Sequence, residues 1–508
     1  MNEVGSRRLS DSARGYRFAE LRRAGLFGSL PTTMLVPLAA ALGVGWLTVS
    51  GLLPVVLGVA VVAAGIAVAF GKVRGRPAHS ILPAMLAFGW RRLRSRNRWY
   101  RPVPLVSDDD VPVAVPPALA GLDIFEVDVT WLFTGRQIPL GVVSDRGAST
   151  VTAAMRVSGD GQFALVDPRN QELRLDGWGS ALGGFARERS DVLRVTWRDW
   201  SAPVPVQEQI GQLEARWAGE PTSPARASYL ALMHTVAPQV VSHDVIVEVT
   251  VRVPRDRSAR GGDGPLGMAI RSLCDEMHLF RDRLDSAGLT VPSVLSAADL
   301  ITATRVRSDP SVMEQLAGLR QSIAAAMGAA APNFGPMAVT EELTSVHVDR
   351  SVHRSWWFAR WPRREVPAAW LDRMIFEAGC TRTISVVFEP IAPSRSDHAV
   401  DKELVSREAN IESRKRRSFR VTGKDTKALE AAEARETELN AGFPEMFYVG
   451  LVTLTASDVD MLEAQAARLE QVASQVGVEL EPMWGQQAAA WVSGLPLGRT
   501  IARRIAAG

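Results

Sequence analysis

The chain has 508 residues, a net charge of +3, and is 22% charged and 46% hydrophobic. Those values exclude a wholly disordered chain and leave room for two or three folded domains. Its two cysteines, Cys274 and Cys380, lie far apart without metal-type spacing. They give no basis for a disulfide framework and suit a reducing cytoplasm.

Residues 1–30 form a basic segment carrying Arg7, Arg8, Arg14, Arg17, Arg22 and Arg23, and between Arg23 and Lys72 no residue is charged. A bilayer core is about 30 Å thick and takes about 20 apolar residues per helix. Residues 31–71 therefore read as a hairpin of two spans, Pro31–Val49 and Leu52–Phe70, broken at Ser50, Gly51 and Pro54. Basic flanks on both sides and an uncharged turn predict a two-pass inner-membrane protein with both termini cytoplasmic.

Residues 72–110 form a juxtamembrane segment and linker. Within it, Ile81, Leu82, Met85, Leu86, Trp90 and Leu93 fall at helical spacing against a face of arginines. This predicts a helix lying on the inner leaflet. Trp90 and Trp99 would sit at the interface, with Arg91, Arg92, Arg94, Arg96 and Arg98 towards anionic lipid. A helix packed on its own domain is the alternative, and nucleic acid is the competing partner for the arginines.

Two α+β lobes follow. In the first, 118–291, period-2 alternation marks a strand at Ile124–Val129, and extended runs follow at Val142–Val143 and Val151–Val157. Further strands are expected at Val192–Trp197 and at Val245–Val253, whose odd positions are all valine. Asp167-Pro168 starts a helix with Leu175, Trp178, Leu182 and Phe185 on one stripe. Further helices are expected over Arg226–Val236 and Pro265–Ala287, the latter stopped by Gly288. Residues 292–338 form a helical connector in which Ser296 and Asp299 make a capping box.

The second lobe, 339–498, opens on a hairpin around Asp349-Arg350, then a helix over Pro367–Phe376 and a strand over Thr383–Phe388. A long helix, Ser396–Leu439, is interrupted near Val421–Lys424, and strand Phe447–Leu454 follows. Ser457 with Asp460 caps helix Val459–Val476, and strand Val478–Met483 closes the unit before the tail, 499–508. The expected fold class is α+β: a two-helix transmembrane hairpin, then two ferredoxin-like (split βαβ) cytoplasmic lobes.

Site chemistry is sparse. Gly423-Lys424-Asp425 and Gly71-Lys72-Val73 lack the first glycine and the hydroxyl of a phosphate-binding loop, and no Gly-x-Ser-x-Gly or His-Glu-x-x-His is present. No catalytic residue, cofactor or metal is therefore expected. His347 and His353 could share a hairpin face with Asp349, as solvated histidines in preference to metal ligands. His243-Asp244 reads as a turn or cap. The basic run Arg414, Lys415, Arg416 and Arg417 reads as an ion-paired helix face, or as a contact surface for a partner protein or nucleic acid. Trp356, Trp357, Trp361 and Trp370 read as core, with an interface anchor as the alternative.

These segments resemble known ones. Tyr16–Pro102, ending WRRLRSRNRWYRP, resembles the small PrgI-like membrane proteins of conjugation and type IV secretion systems. The second lobe resembles the non-hydrolytic front half of the large secretion ATPase of those systems. The likeness lies in SVVFEPIAP, ESRKRR, ETELNAGFPEMFYVGLVTLTASDVDMLEAQAARLEQV and WGQQAAAWVSGLPLGR. In that family a closing Leu-Pro-Leu-Gly precedes the motor domain. Here ten residues follow Gly498. The whole layout resembles actinobacterial proteins that fuse these two parts and lack the motor.

The resemblance implies a non-enzymatic inner-membrane subunit that docks a separate secretion ATPase in trans, at Leu495, Pro496, Leu497 and Gly498. Its implied partners are that ATPase, other membrane channel subunits, anionic lipids and further copies of itself. The rival readings are a two-span core component of a type VII secretion system and a membrane-anchored nucleic-acid-handling protein.

Overall fold

The computed structural model describes residues 55–73, 76–102, 114–130, 137–161, 165–203, 222–236, 241–254, 264–313, 335–376, 380–417 and 419–501, with Phe18 and scattered positions elsewhere. The uncharged stretch contributes helix α1 (Val55–Phe70), which runs 16 residues. That is about 24 Å at 1.5 Å per residue, short of the roughly 30 Å of a bilayer core. Among the described residues no helix is long and apolar enough to cross a membrane. This overturns the two-pass transmembrane hairpin and the inner-membrane address built on it. Most of the other expected span, Pro31–Val49, lies outside the described residues.

A two-residue hairpin, β1 (Lys72–Val73) with β2 (Arg76–Pro77), leads into helix α2 (Ala78–Leu93). The expected surface helix is thus a helix, but it packs on the protein. Ile81 and Phe88 are buried, and Arg91 donates to Glu341 Oε2 at 2.9 Å and to the Gly485 carbonyl at 2.6 Å. The following Arg98–Tyr100 is strand β3.

The expected pair of separate ferredoxin-like lobes is replaced by one continuous sheet. Thirteen strands, every pair antiparallel, run in the order β3-β10-β11-β12-β14-β13-β7-β8-β6-β5-β4, with β9 beside β6 and β15 beside β12. The first half supplies β4 (Leu122–Thr130), β5 (Gln137–Asp145), β6 (Thr150–Ser158), β7 (Val192–Pro203), β8 (Val241–Arg252) and β9 (Thr290–Val294). Its helices are α3 (Pro168–Gly183), α4 (Pro224–Val236), α5 (Gly264–Ser286) and α6 (Ala297–Ser308). The second half supplies β10 (Ala338–Glu341), β11 (Val346–Val348), β12 (Ser351–Arg360), β13 (Thr381–Pro390), β14 (Met446–Ala456) and β15 (Glu479–Pro482). Its helices are α7 (Asp372–Ile375), α8 (Pro393–Arg416), α9 (Gly423–Asn440), α10 (Val459–Gln475) and α11 (Gln487–Ser493).

The halves share one plan. In each, a hairpin (β5-β6, β11-β12) is followed by a strand (β7, β13), a helical excursion and a return strand (β8, β14). A long helix (α5, α10), a short strand back on the hairpin (β9, β15) and a closing helix (α6, α11) complete each unit. The sheet becomes continuous because β7 and β13 pair with each other, from Val195 opposite Phe388 to Ser201 opposite Arg382.

Alternation explains the layers. On one face Val195, Val247, Val249 and Val251 pack under Leu273, Met277 and Phe280 of α5. In the second half Trp356, Ile384, Val452 and Leu454 pack under Leu462, Ala466 and Leu469 of α10. Trp197 touches both clusters and joins them. The opposite face is covered by α6, α11 and the chain beyond α11, through Leu300, Ile301, Trp491, Leu495 and Leu497. Both faces of the middle strands are therefore buried. This is why the even positions of β8, Ile246, Glu248 and Thr250, are as enclosed as its valines.

Candidate functional site

The second face of the sheet carries a polar seam where the halves meet. Arg198 on β7 and Glu248 on β8 are both fully buried. Arg198 grips the carboxylate bidentately, Nε to Oε1 at 2.7 Å and Nη2 to Oε2 at 3.1 Å. Its Nη1 donates to Ser385 Oγ on β13 at 3.1 Å and to the Ser493 carbonyl at the end of α11. One guanidinium thus binds both halves and the closing helix. An ion pair this deep persists only with its remaining hydrogen-bonding capacity filled, and here the serines fill it.

Leu495, Pro496, Leu497 and Gly498 lie directly on this seam and are buried. Leu495 and Leu497 enter the core. The Gly498 carbonyl accepts from Arg194 Nε at 3.1 Å and also from Nη2. Burial lowers the Arg194 pKa, with Glu389 and Glu248 opposing. Gly498 has φ +67, and a Cβ there would lie 2.1 Å from Thr152 Oγ1, so the position requires glycine. Arg499 then bonds Asp145 Oδ2 at 2.8 Å and the carbonyls of Ala118 and Ala120. Burial raises the Asp145 pKa, but the hydrogen bonds from Arg499 and the Ala148 N–H outweigh it and hold the carboxylate below its ordinary range. In this structure the Leu-Pro-Leu-Gly segment offers a partner no exposed side chain. It anchors the chain to the first half.

The clasp is reciprocal. The first half's closing helix, α6, has the expected Ser296–Asp299 capping box and ends on the second half. His353 of β12 is buried, its Nε2 donating to the Ser308 carbonyl at 2.8 Å and its Nδ1 accepting from Thr455 Oγ1 at 2.9 Å. Burial drives the His353 pKa down to about 4. Next in the chain, Asp309 accepts from Ser351 Oγ and the Arg350 N–H. Arg307 reaches back to Asp244, which also pairs with Arg156. Burial pushes Arg307 down to about 10, Asp244 opposing. His243, beside it, meets Asp199 at 3.0 Å. His243-Asp244 is thus inside β8 and not at a turn.

His347 and His353 do not share a face. His347 is opposite Val352 and His353 opposite Val346, and a one-residue offset in a strand reverses the face. His347 is half-exposed beside Glu342. Among the described residues no group of three or more His, Cys, Asp or Glu could hold a metal ion.

The second exposed feature is the helical hairpin α8–α9, which leaves the sheet between β13 and β14. Its break falls where expected: Thr422 caps α9 in a capping box with Asp425. The two helices are locked by Glu403, which accepts from Arg407 on its own helix and from Arg435 of α9 at 3.1 Å. At the base, Glu188 of the first half accepts from the Ser394 N–H at 2.7 Å and Ser394 Oγ at 2.9 Å, capping the start of α8. Beside it opens a cleft of about 750 Å³, whose walls include Arg187, Asp191, Arg252, Glu389 and Arg395.

At the far end lies the basic run. Arg414 pairs with Asp425 at 3.3 Å and Arg416 with Glu412 at 3.2 Å. Lys415, Arg417 and Arg420 are exposed and make no ion pair among the described residues, and Phe419 beside them is 63% exposed.

The other predicted positions scatter. Arg92, Arg94, Arg96 and Arg98 are exposed, and Arg94 lies 4.2 Å over the exposed ring of Trp90. Arg91 is engaged with Glu341, and Trp99 sits in β3 opposite Val339, against the core. Helix α10 is capped by Asp458, which accepts from Met461 N, and not by Ser457. The short α7 replaces the longer helix expected over Pro367–Phe376. Arg194, Arg198 and Glu248 escaped the sequence reading. Their one signal is a charge placed among strand valines. No protein-family model matches the chain, and no curated protein matches it.

Proposed function

We propose that this protein is a non-enzymatic docking subunit of a conjugation-like type IV secretion apparatus, binding a separate ATPase through the α8–α9 hairpin. The observation that carries this reading is the hairpin tip. Its three exposed cations beside an exposed phenylalanine stand at the end of a helix about 36 Å long. A charged tip with an apolar anchor suits a complementary acidic partner surface. The hairpin lies inside the segment that resembles the front half of the secretion ATPase, and no phosphate-binding loop is present in the chain. The buried Leu495–Gly498 segment supports the tip only indirectly, by tying the halves into one rigid base. The exposed Val55, Val56 and Val59 of α1 offer an apolar face to neighbouring subunits.

The test is purification of the tagged full-length protein from its native host, with mass spectrometry of what accompanies it. A conjugation-type ATPase, lost on Lys415→Glu/Arg417→Glu/Arg420→Glu substitution, supports the proposal. A type VII secretion ATPase, or a conjugation-type ATPase retained by the triple variant, overturns it. Nucleic acid is the second reading of the same tip, since exposed cations beside an exposed aromatic ring also suit a single strand. It predicts binding by the full-length protein that weakens steeply with salt.

A further inference from the structure

An aromatic socket lies on the second half, away from the seam and the hairpin tip. Trp361, just after β12, is its hub. Its ring centroid is 5.0 Å from Phe358, 5.0 Å from Tyr448 on β14 and 6.1 Å from Trp370. Phe358 is buried, whereas Trp361, Trp370 and Tyr448 are each half-buried, so the socket opens at the surface. Gly450 lets the Phe358 ring sit against β14, because a Cβ there would come within 2.5 Å of it.

The mouth of this socket is filled by Phe18. Its ring stacks on Trp361 at 5.0 Å and 28°, meets Trp370 edge-on at 5.0 Å and 66°, and approaches Tyr448 at 6.3 Å. Phe18 is the one described residue before Leu42. Trp361 Nε1 is buried and has no hydrogen-bond acceptor among the described residues. The occupant is defined by the ring contacts: one phenyl ring lies within reach of three aromatic rings, in stacked and edge-on arrangements that aromatic pairs favour.

We propose that Trp361, Trp370 and Tyr448 form a docking socket for one aromatic side chain carried on a peptide, and that its resident is Phe18 of the same chain. The contact is a latch that ties the N-terminal segment to the second half. It does not depend on the secretion reading.

The test uses full-length protein with a photoreactive benzophenone amino acid in place of Phe18. Irradiation is expected to give an intramolecular cross-link to Trp361, Trp370 or Tyr448, with a yield unchanged on hundredfold dilution. Cross-links between isotopically distinct copies, or to other parts of the fold, overturn the latch. A second measurement removes the concern that the bulkier side chain does not fit. A peptide of residues 12–24 is titrated into the full-length Phe18→Ala protein. Saturable binding is expected, weakened at least about tenfold by adding Tyr448→Leu, or by Phe18→Ala in the peptide. No saturable binding, or binding indifferent to both changes, overturns the socket.

Discussion

In the first half the chain passes from β7 to β8 through residues 204–240, with α4 of 13 residues and further helical positions at Ile210, Leu213 and Arg216. In the second half the same passage, β13 to β14, carries helices of 24 and 18 residues. The surrounding plan is otherwise matched, strand for strand. The difference teaches where the fold tolerates growth. A connection at the end of a sheet adds solvated helix without disturbing the layers, and loops positioned by a rigid scaffold are where function concentrates. A second contrast lies at the join. Strand β7 brings Arg194 and Arg198, whereas β13 sets Ser385 opposite Arg198 and Val387 opposite Thr196. The first half supplies the buried Arg198–Glu248 pair, and the second supplies the Ser385 hydroxyl, the Ser493 and Gly498 carbonyls and the covering tail.

The largest expected effect comes from breaking the join. Glu248→Ala leaves Arg198 buried and unpaired, and should cost about 3–5 kcal/mol of stability. Replacing both partners, Arg198→Met with Glu248→Leu, should cost much less. If denaturant unfolding shows the single and double variants equally affected, the seam is not held by that pair.

The reciprocal clasp predicts a pH dependence. His353 has an unfolded value near 6.5 and is held near 4 when folded. Between these values the unfolded chain binds the proton and the folded one does not. Stability is therefore full above pH 6.5 and falls as the pH drops towards 4, by roughly 3 kcal/mol in all at 1.36 kcal/mol per unit. Thermal midpoints measured from pH 7 to pH 4.5 should lose most of this slope in His353→Gln. A slope that is unchanged would place the acid sensitivity elsewhere.

Two smaller effects isolate the hairpin from the scaffold. Thr422→Ala removes the cap of α9 and should cost about 1 kcal/mol. Hydrogen exchange should register it in α9 and leave β13 and β14 protected; loosening of the strands would mean the hairpin is not an independent addition. Lys415→Glu/Arg417→Glu/Arg420→Glu should change stability by less than about 0.5 kcal/mol. Its effect should appear only in partner recovery.

Much of the local structure was legible. The alternation of Ile124–Val129 sits within β4, the Ser296–Asp299 box caps α6, and the break before α9 falls at Thr422. The errors also have local causes. Ser457 and Asp458 are adjacent, and both are good capping residues. Only the geometry of the Met461 N–H selects Asp458. The uncharged stretch was long enough for two spans by count, but the helix formed at its second half ends at 16 residues. Of the arginines read as lipid-facing, Arg91 is turned to the protein by Glu341 and Gly485, partners the sequence does not reveal.

The sequence by itself determined the elements whose cause lies within a few residues: strands by period-2 burial, helix starts by caps, turns by glycine. It also determined the absence of a phosphate-binding loop. Only the tertiary structure decided that β7 meets β13, that two similar units share one sheet, and that Leu495–Gly498 turns inward. Those outcomes rest on contacts between residues hundreds of positions apart, such as Arg198 with Ser493 and Phe18 with Trp361. Periodicity and capping report the neighbours along the chain. They carry no record of which distant edge or charge completes a strand or a buried arginine.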